Sequence, residues 1–154
     1  MFSEIRRKEK KLSDEETIEI LKTGEEGVLA TTGKDNYPYA VPLNYAYHNN
    51  SIYFHCATSG HKIDNINYNS KVSFCVVKDT EVIPEDFSTK FKSVVLFGIA
   101  RELFGDEKQE GLMLLVHRFS NDHVKAGEKY IKNAIDKTRV FKINIEHISG
   151  KRAK

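Results

Sequence analysis

The sequence predicts a mainly β protein in which six antiparallel strands with flanking helices form a small closed or split barrel. Six segments are rich in the β-branched and aromatic residues that suit a pleated, half-buried surface. Most of these segments are joined by short turns, which implies hairpins and antiparallel pairing. The predicted strands are Gly27–Thr32, Tyr39–Tyr47, Ile52–Cys56, Lys71–Val77, Val94–Phe104 and Thr138–Ile145.

Helices are predicted at the start of the chain, after the third strand and before the last strand. Ser13, Asp14, Glu15 and Glu16 form a capping-box pattern, in which the Ser hydroxyl and the last Glu satisfy backbone N–H groups at a helix start. This first helix should stop at Gly24. Apolar stripes at helical spacing predict two later helices, over residues 106–119 and 124–134.

The length and composition suit a single domain over residues 1–154, with a charged lead-in over residues 1–11 and a frayed basic tail over residues 150–154. The net charge of +2 is too small to imply a nucleic-acid partner. No apolar run reaches the length of a membrane span, and no signal-peptide pattern follows the basic start. Cys56 and Cys75 lie in apolar strands, as buried thiols do. We therefore expect a cytoplasmic protein without a membrane or nucleic-acid partner.

Three features of the strands call for explanation. Pro42 cannot donate to a ladder, so it marks either a plain sheet edge or an opening whose free backbone groups meet a ligand. Residues 78–92 look like a long connection between two strands, and such loops often carry function. Gly98, in the middle of its strand, is a candidate bulge or close approach.

The stretch from Ile52 to Ile66 combines a strand, a small-residue loop and a short helix. His61 and Lys62 fall in the first turn of that helix, just after the hydroxyls of Thr58 and Ser59. The first N–H groups of a helix lack intrahelical partners and carry the positive end of the dipole. With these hydroxyls and a lysine, the place suits a phosphate. The alternative is an ordinary N-cap by Ser59 or Thr58 before a surface helix.

The motifs of several enzyme classes are absent. There is no glycine-rich dinucleotide fingerprint, no P-loop and no serine nucleophile elbow. His55 and Cys56 are neighbours in a strand and point to opposite faces, so they do not favour a shared metal ion. No base accompanies Cys56 as a nucleophile. The residues thus offer a phosphate cradle and apolar strands, which suits a cofactor that brings its own reactivity, such as flavin mononucleotide (FMN).

Several segments, in order along the chain, carry a resemblance to one known family. They are Tyr37–Tyr39, Val41–Tyr45, Ile52–His55, Gly60–Ile66, Lys71–Val77, Thr80–Pro84, Ser93–Gly98 and Ile145–Lys151. Together they resemble the nitroimidazole-resistance (Nim-type) branch of the pyridoxamine 5'-phosphate oxidase-like flavin-binding proteins. The similarity covers nearly the whole chain.

The resemblance implies an FMN-binding split barrel that forms a homodimer with the flavin at the subunit interface. Three groups of residues would then surround the cofactor. The isoalloxazine ring would lie along the backbone of Val41, Pro42, Leu43 and Asn44, and the ribityl chain and phosphate along His55, Cys56 and Ala57. The phosphate would be held by His61 and Lys62, with Ser59 and Asn65 near by, and Gly98 would come from the partner subunit.

The resemblance favours a flavin-dependent reductase that passes electrons to a small acceptor such as a nitroimidazole, with no catalytic residue assigned. The oxidase proper has a C-terminal segment that grips pyridoxamine phosphate, and no such segment follows His147. Vitamin B6 oxidation is therefore not expected. The alternative is a non-catalytic binder of flavin or haem, because similar barrels also hold haem or deazaflavin, and His55 or His61 could serve as an axial ligand. A nucleic-acid binder is least favoured, since the chain lacks an aromatic and basic stripe.

Overall fold

Seven strands and four α-helices make up the structure, a computed structural model that describes residues 1–154. The strands are β1 (Glu26–Thr32), β2 (Pro38–Asn44), β3 (Ala46–His48), β4 (Ser51–Cys56), β5 (Lys71–Ile83), β6 (Ser88–Leu103) and β7 (Arg139–Ala153). The helices are α1 (Asp14–Thr23), α2 (His61–Tyr68), α3 (Gly105–Phe119) and α4 (Val124–Ala134). All strand pairs are antiparallel, so the predicted mainly β fold with flanking helices is confirmed.

Tyr45 divides the second predicted strand in two, which is why there are seven strands rather than six. β2 ends at Asn44 and β3 begins at Ala46, yet the sheet order β2-β1-β5-β6-β7-β4-β3 puts these two strands at opposite edges. A single residue spans less than about 4 Å. The two edges must therefore meet at Tyr45, so the sheet is curled into a barrel that is split between β2 and β3.

Tyr45 also fixes α1 against the barrel. Its side chain is fully buried, and its hydroxyl donates a hydrogen bond of 2.7 Å to the carbonyl of Leu21, in the last turn of α1. Burial raises the pKa of Tyr45, so the hydroxyl stays a donor. The predicted capping box at the other end of α1 is confirmed, since the N–H of Glu16 donates to Oγ of Ser13 at 3.1 Å.

Residues 78–92 are not the long connection that the sequence predicted. β5 and β6 continue through most of this segment and pair with each other as far as Ile83 and Ser88, after a register shift between Lys78 and Glu81. The turn itself is a short 3₁₀ segment, Pro84–Asp86. The proline that suggested a loop therefore marks the tip of a long hairpin.

Residues 150–153 were expected to fray, but they belong to β7. Gly150, Lys151, Arg152 and Ala153 pair with β6, and the carbonyl of Gly150 accepts a 2.9 Å hydrogen bond from the N–H of Leu12. Local composition suggested a free basic tail. The long partner strand β6 supplies the pairing, and the sequence pattern of the tail gave no sign of it.

Two hydrophobic clusters organise the interior. The larger cluster fills the barrel and includes Leu29, Phe54 and Phe74. The smaller one lies under the helix pair α3 and α4, and includes Leu112 and Ile131. The two helices thus form a separate lobe against the β4 and β7 side of the barrel, close to the split.

Candidate functional site

The two halves of the predicted cofactor site come together at the split in the barrel. The ring of Tyr39 on β2 stacks on the imidazole of His61 in the first turn of α2, with ring centres 4.2 Å apart. Further along, Asn44 at the end of β2 and His55 near the end of β4 line the same cavity. The edge strand β2 and the segment from β4 to α2 therefore form one continuous surface.

The first turn of α2 has free backbone donors. The N-cap is Gly60, with no side-chain cap and a φ of +156°, a conformation that residues with a side chain rarely adopt. Because Asp64 donates to the carbonyl of Gly60, the N–H groups of His61, Lys62 and Ile63 have no intrahelical acceptor. The alternative of an ordinary N-cap by Ser59 or Thr58 is therefore wrong. The loop residues Ala57, Thr58 and Ser59 are exposed beside these donors.

Two positive side chains stand near the end of β4. Lys62 lies in the first turn of α2, soon after the end of β4. Burial and then the charge of Lys62 lower the pKa of His55, and the same charge opposes the rise that burial causes in the pKa of Cys56. Arg139 lies opposite Cys56 in the pairing of β4 with β7, and its nearest carboxylate, Glu102, is 3.8 Å away. The sequence gave no sign of Arg139, because only the pairing of distant strands brings it here.

His55 and Cys56 point to opposite sides of β4, as expected for neighbours in a strand. His55 faces the cavity, and burial followed by the charge of Lys62 lowers its pKa, which favours the neutral imidazole. Cys56 packs against the barrel core, where burial raises the pKa of its thiol. A protonated thiol is a poor nucleophile, so Cys56 supplies shape rather than reactivity.

Asn65 has a structural role that the sequence did not indicate. It is buried, and its side-chain amide donates a 3.0 Å hydrogen bond to Oγ1 of Thr31 on β1. A side chain at Gly33 would collide with its amide oxygen. Asn65 therefore anchors α2 to β1, and its amide group is occupied inside the fold.

The edge strand β2 presents alternating faces. Val41 and Leu43 pack against the barrel core, whereas Pro42 and Asn44 are exposed. Asn44 is held by its side-chain amide, which donates to the carbonyl of Glu25 at 2.9 Å and leaves its own oxygen free to accept. β2 pairs with β1 alone, so Pro42 does mark a sheet edge, and backbone groups along the other side of β2 remain available.

Gly98 lies apart from the other predicted site residues. It sits where the pairing of β6 with β7 shifts register, so the predicted bulge is confirmed. A side chain here would collide with the carbonyl of Asn144 and approach Ile143 within 2.8 Å. Within one chain, Gly98 therefore has a packing role, next to a depression lined by Phe2 rather than beside Lys62.

No group of three His, Cys, Asp or Glu side chains is close enough to hold a metal ion. None of the four helices has the length and apolar composition needed to cross a membrane.

Comparisons with known proteins agree with this fold. The sequence profile of the pyridoxamine 5'-phosphate oxidase family matches residues 13–152. No curated protein sequence matches the chain.

Three solved structures illustrate the likeness. An FAD-binding protein from Mesorhizobium loti is 30% identical, with a TM-score of 0.65 over 94% of this chain and 97% of that one. A candidate 5-nitroimidazole antibiotic resistance protein from Bacteroides thetaiotaomicron has a TM-score of 0.77 at 19% identity, over 92% and 86% of the two chains. An FAD- and haem-binding protein from Mycobacterium smegmatis has a TM-score of 0.80 at 19% identity, over 94% and 74%. Because the matched profile spans nearly the whole chain, the chain belongs to the pyridoxamine 5'-phosphate oxidase family.

Proposed function

We propose that the chain is a flavin-binding homodimer that passes electrons from reduced flavin to a small acceptor such as a nitroaromatic compound. The observation that carries the proposal is the meeting of β2 with the uncapped start of α2, where Tyr39 stacks on His61. One surface then offers both an edge of free backbone groups and a cluster of unpaired N–H donors. A flavin nucleotide needs both, for its ring and for its phosphate.

The phosphate would bind at the start of α2. The free N–H groups of His61, Lys62 and Ile63 and the ammonium of Lys62 are the donors that a phosphate requires. Arg139, across from Cys56, adds a second cation near by. Without a bound anion, the ammonium of Lys62 would lie at the positive end of the dipole of α2, which is unfavourable. We propose FMN as the cofactor. FAD carries a phosphate at the same position of its ribityl chain, so chromatography of the flavin extracted from the protein distinguishes the two.

The isoalloxazine ring would lie along the edge of β2, where Val41 to Asn44 expose backbone groups. Pro42 lacks an N–H, and the oxygen of Asn44 remains an acceptor. When bound, reduced flavin supplies two electrons and two protons, which convert a nitro group to a nitroso group and water. The chain would position the ring and the acceptor.

A second copy would cover the apolar outer face of the sheet. The strand register aligns Pro42, Val28, Cys75 and Val95 in one row across β2, β1, β5 and β6. Val28 is 41% exposed and Val95 37%, and the neighbouring Phe97 is 38% exposed. Apolar side chains that share one sheet face are typical of an interface. In a homodimer, Gly98 on β6 would approach the partner's site.

Two measurements test this function. Sedimentation of Val95→Lys against wild type tests the dimer; a charge in the apolar row should produce monomers that also lose flavin. Turnover of chemically reduced holoprotein with nitroaromatic acceptors tests the chemistry. Flavin reoxidation that no acceptor accelerates would contradict the reductase.

A non-catalytic haem or flavin binder is the second candidate. The observation that favours it is His55, whose lowered pKa leaves a neutral imidazole facing a cavity. A neutral imidazole can ligate haem iron. A Soret band in the purified protein that disappears in His55→Gln would favour haem over flavin.

A further inference from the structure

The lobe formed by α3 and α4 encloses a second recess beside the proposed flavin site. The cavity has a volume of about 530 Å³, within the range of small-molecule sites. Leu112 and Leu115 of α3 form one wall, and Ala126 and Ile131 of α4 form the other. Gly127 allows this arrangement, because a side chain there would approach Val116 of α3 within 2.6 Å.

The lining of this cavity contains no acidic side chain, no lysine and no arginine. None of its 14 residues is Asp, Glu, Lys or Arg, although these types make up 30% of the chain. Its polar groups include the hydroxyls of Ser120 and Thr138. A charged ligand would lose its hydration here without gaining an ion pair. The cavity therefore selects for an uncharged molecule.

Aromatic side chains border the opening. Phe119 of α3 is 40% exposed and Tyr130 of α4 is 66% exposed, and both line the cavity together with the imidazoles of His55 and His123. Exposed rings around an apolar recess offer faces and edges for stacking on another ring. A small aromatic molecule would cover apolar surface that is otherwise left in water.

The cavity adjoins the proposed flavin site. Asn44 and His55, which we place beside the cofactor, also line its mouth. We infer that this cavity binds a small uncharged aromatic molecule and serves as the acceptor site; its role as acceptor site rests on the proposed function. His55 and the free oxygen of Asn44 would orient the polar end of the molecule towards the cofactor.

The test measures binding of two nitroaromatic probes, one neutral and one anionic. Ligand-observed proton NMR on the flavin-loaded full chain gives the Kd of 4-nitrotoluene and of 4-nitrobenzoate. We expect 4-nitrotoluene to bind at least tenfold more tightly. Ala126→Phe, which fills the cavity from an exposed helix position, should weaken 4-nitrotoluene at least tenfold and slow its reduction. Lys125→Phe, with the same new side chain one position earlier in α4 and outside the cavity lining, should bind like wild type.

Ala126→Lys is the control for loss of structure in Ala126→Phe. A lysine in the lining should improve the binding of 4-nitrobenzoate at least fivefold, a gain that loss of structure cannot produce. Equal binding of the two probes by wild type, or unchanged binding of 4-nitrotoluene by Ala126→Phe, would overturn the inference. Reduction that continues unchanged in Ala126→Phe would overturn the acceptor role while leaving the reductase intact. Selective binding without any reduction would support the cavity and its ligand class and reject the proposed function.

Discussion

The ring of Tyr39 lies against the imidazole of His61, and this contact joins the edge strand of the barrel to the helix start that carries Lys62. The two residues are 22 positions apart in sequence. Tyr39 lies on β2, which pairs with β1, and His61 lies in α2, which Asn65 anchors to β1. Their stacking sets the distance between the free edge of β2 and the free donors of α2. A bound flavin would have to span that distance.

Replacing Tyr39 should therefore weaken flavin binding without unfolding the barrel. Tyr39→Ala removes a ring stack worth about 0.5–1.5 kcal/mol, so we expect FMN affinity to fall about 2- to 12-fold. Tyr39→Phe keeps the ring and should bind like wild type. Quenching of flavin fluorescence gives the Kd of each. Equal affinity in all three proteins would mean that the stack does not organise the site.

Arg118 should stabilise the fold but not the cofactor. Its guanidinium donates to the carbonyls of Thr23 at 2.9 Å and Gly24 at 3.1 Å, and so ties α3 to the end of α1. Charged hydrogen bonds of this kind contribute about 1.5–3 kcal/mol, so Arg118→Met should lower the free energy of unfolding by roughly that amount. Urea denaturation measures the change.

Arg101→Met is the matched control for Arg118→Met. Arg101 forms an exposed ion pair with Glu107 at 2.9 Å. Such pairs contribute about 0–1 kcal/mol because water and salt screen them. If Arg101→Met lowers the free energy of unfolding as much as Arg118→Met does, the hydrogen bonds of Arg118 between α3 and α1 contribute no more than an exposed ion pair.

His55 should make stability depend on pH. Its pKa in the folded protein is below the ordinary value of 6.5, first through burial and then through Lys62. Between the two values the unfolded chain binds more protons, so stability rises with pH there. This contribution is complete above about pH 6.5 and is lost as pH falls towards the folded pKa. His55→Gln should flatten that part of the profile, measured by urea denaturation from pH 5 to 8.

Binding of FMN should raise the pKa of His55. A phosphate dianion near Lys62 compensates its charge and favours the protonated imidazole. Proton NMR titration of His55 should therefore give a higher pKa in the flavin complex than in the free protein. A pKa that does not move would place the phosphate elsewhere.

Gly98→Ala should lower the stability of the fold because it disturbs the contact between β6 and β7. The added methyl group would collide with the carbonyl of Asn144, and such overpacking costs about 1–3 kcal/mol. Thermal unfolding measures the loss. Ala100→Gly, two residues along the same strand, gives for comparison the combined cost of a lost buried methyl group and of added chain entropy. A stable Gly98→Ala variant that fails only in flavin binding would instead favour a direct role for Gly98 at a partner's site.

Much of the fold could be predicted from the sequence because its signals are local. The capping box at Ser13, the strand at Ile52 and the glycine bulge at Gly98 depend on residues close in sequence, and the structure bears them out. Pairing partners are not local. The division at Tyr45 follows from the positions of β2 and β3 at opposite edges of the sheet, and the ordering of residues 150–153 follows from their pairing with β6.

The residues of the candidate site likewise include some that local sequence could predict and some that it could not. The free start of α2 could be predicted from Gly60, His61 and Lys62, because a helix N-terminus is a local feature. Asn65 has a local position in α2, but its amide is used by Thr31, 34 residues earlier. Arg139 joins the site only through the pairing of β4 with β7. No pattern within one segment could have indicated either contact.

The most direct test of the account is the visible absorption spectrum of the protein after incubation with FMN and desalting, for wild type, Lys62→Ala and the exposed control Lys22→Ala. Wild type and Lys22→Ala should retain about one flavin per chain, as one helix-start phosphate site allows. Lys62→Ala should lose about 1–3 kcal/mol of binding free energy, on the order of 5- to 150-fold in Kd. Full retention of flavin by Lys62→Ala, or no retention by wild type, would contradict a phosphate site at the start of α2.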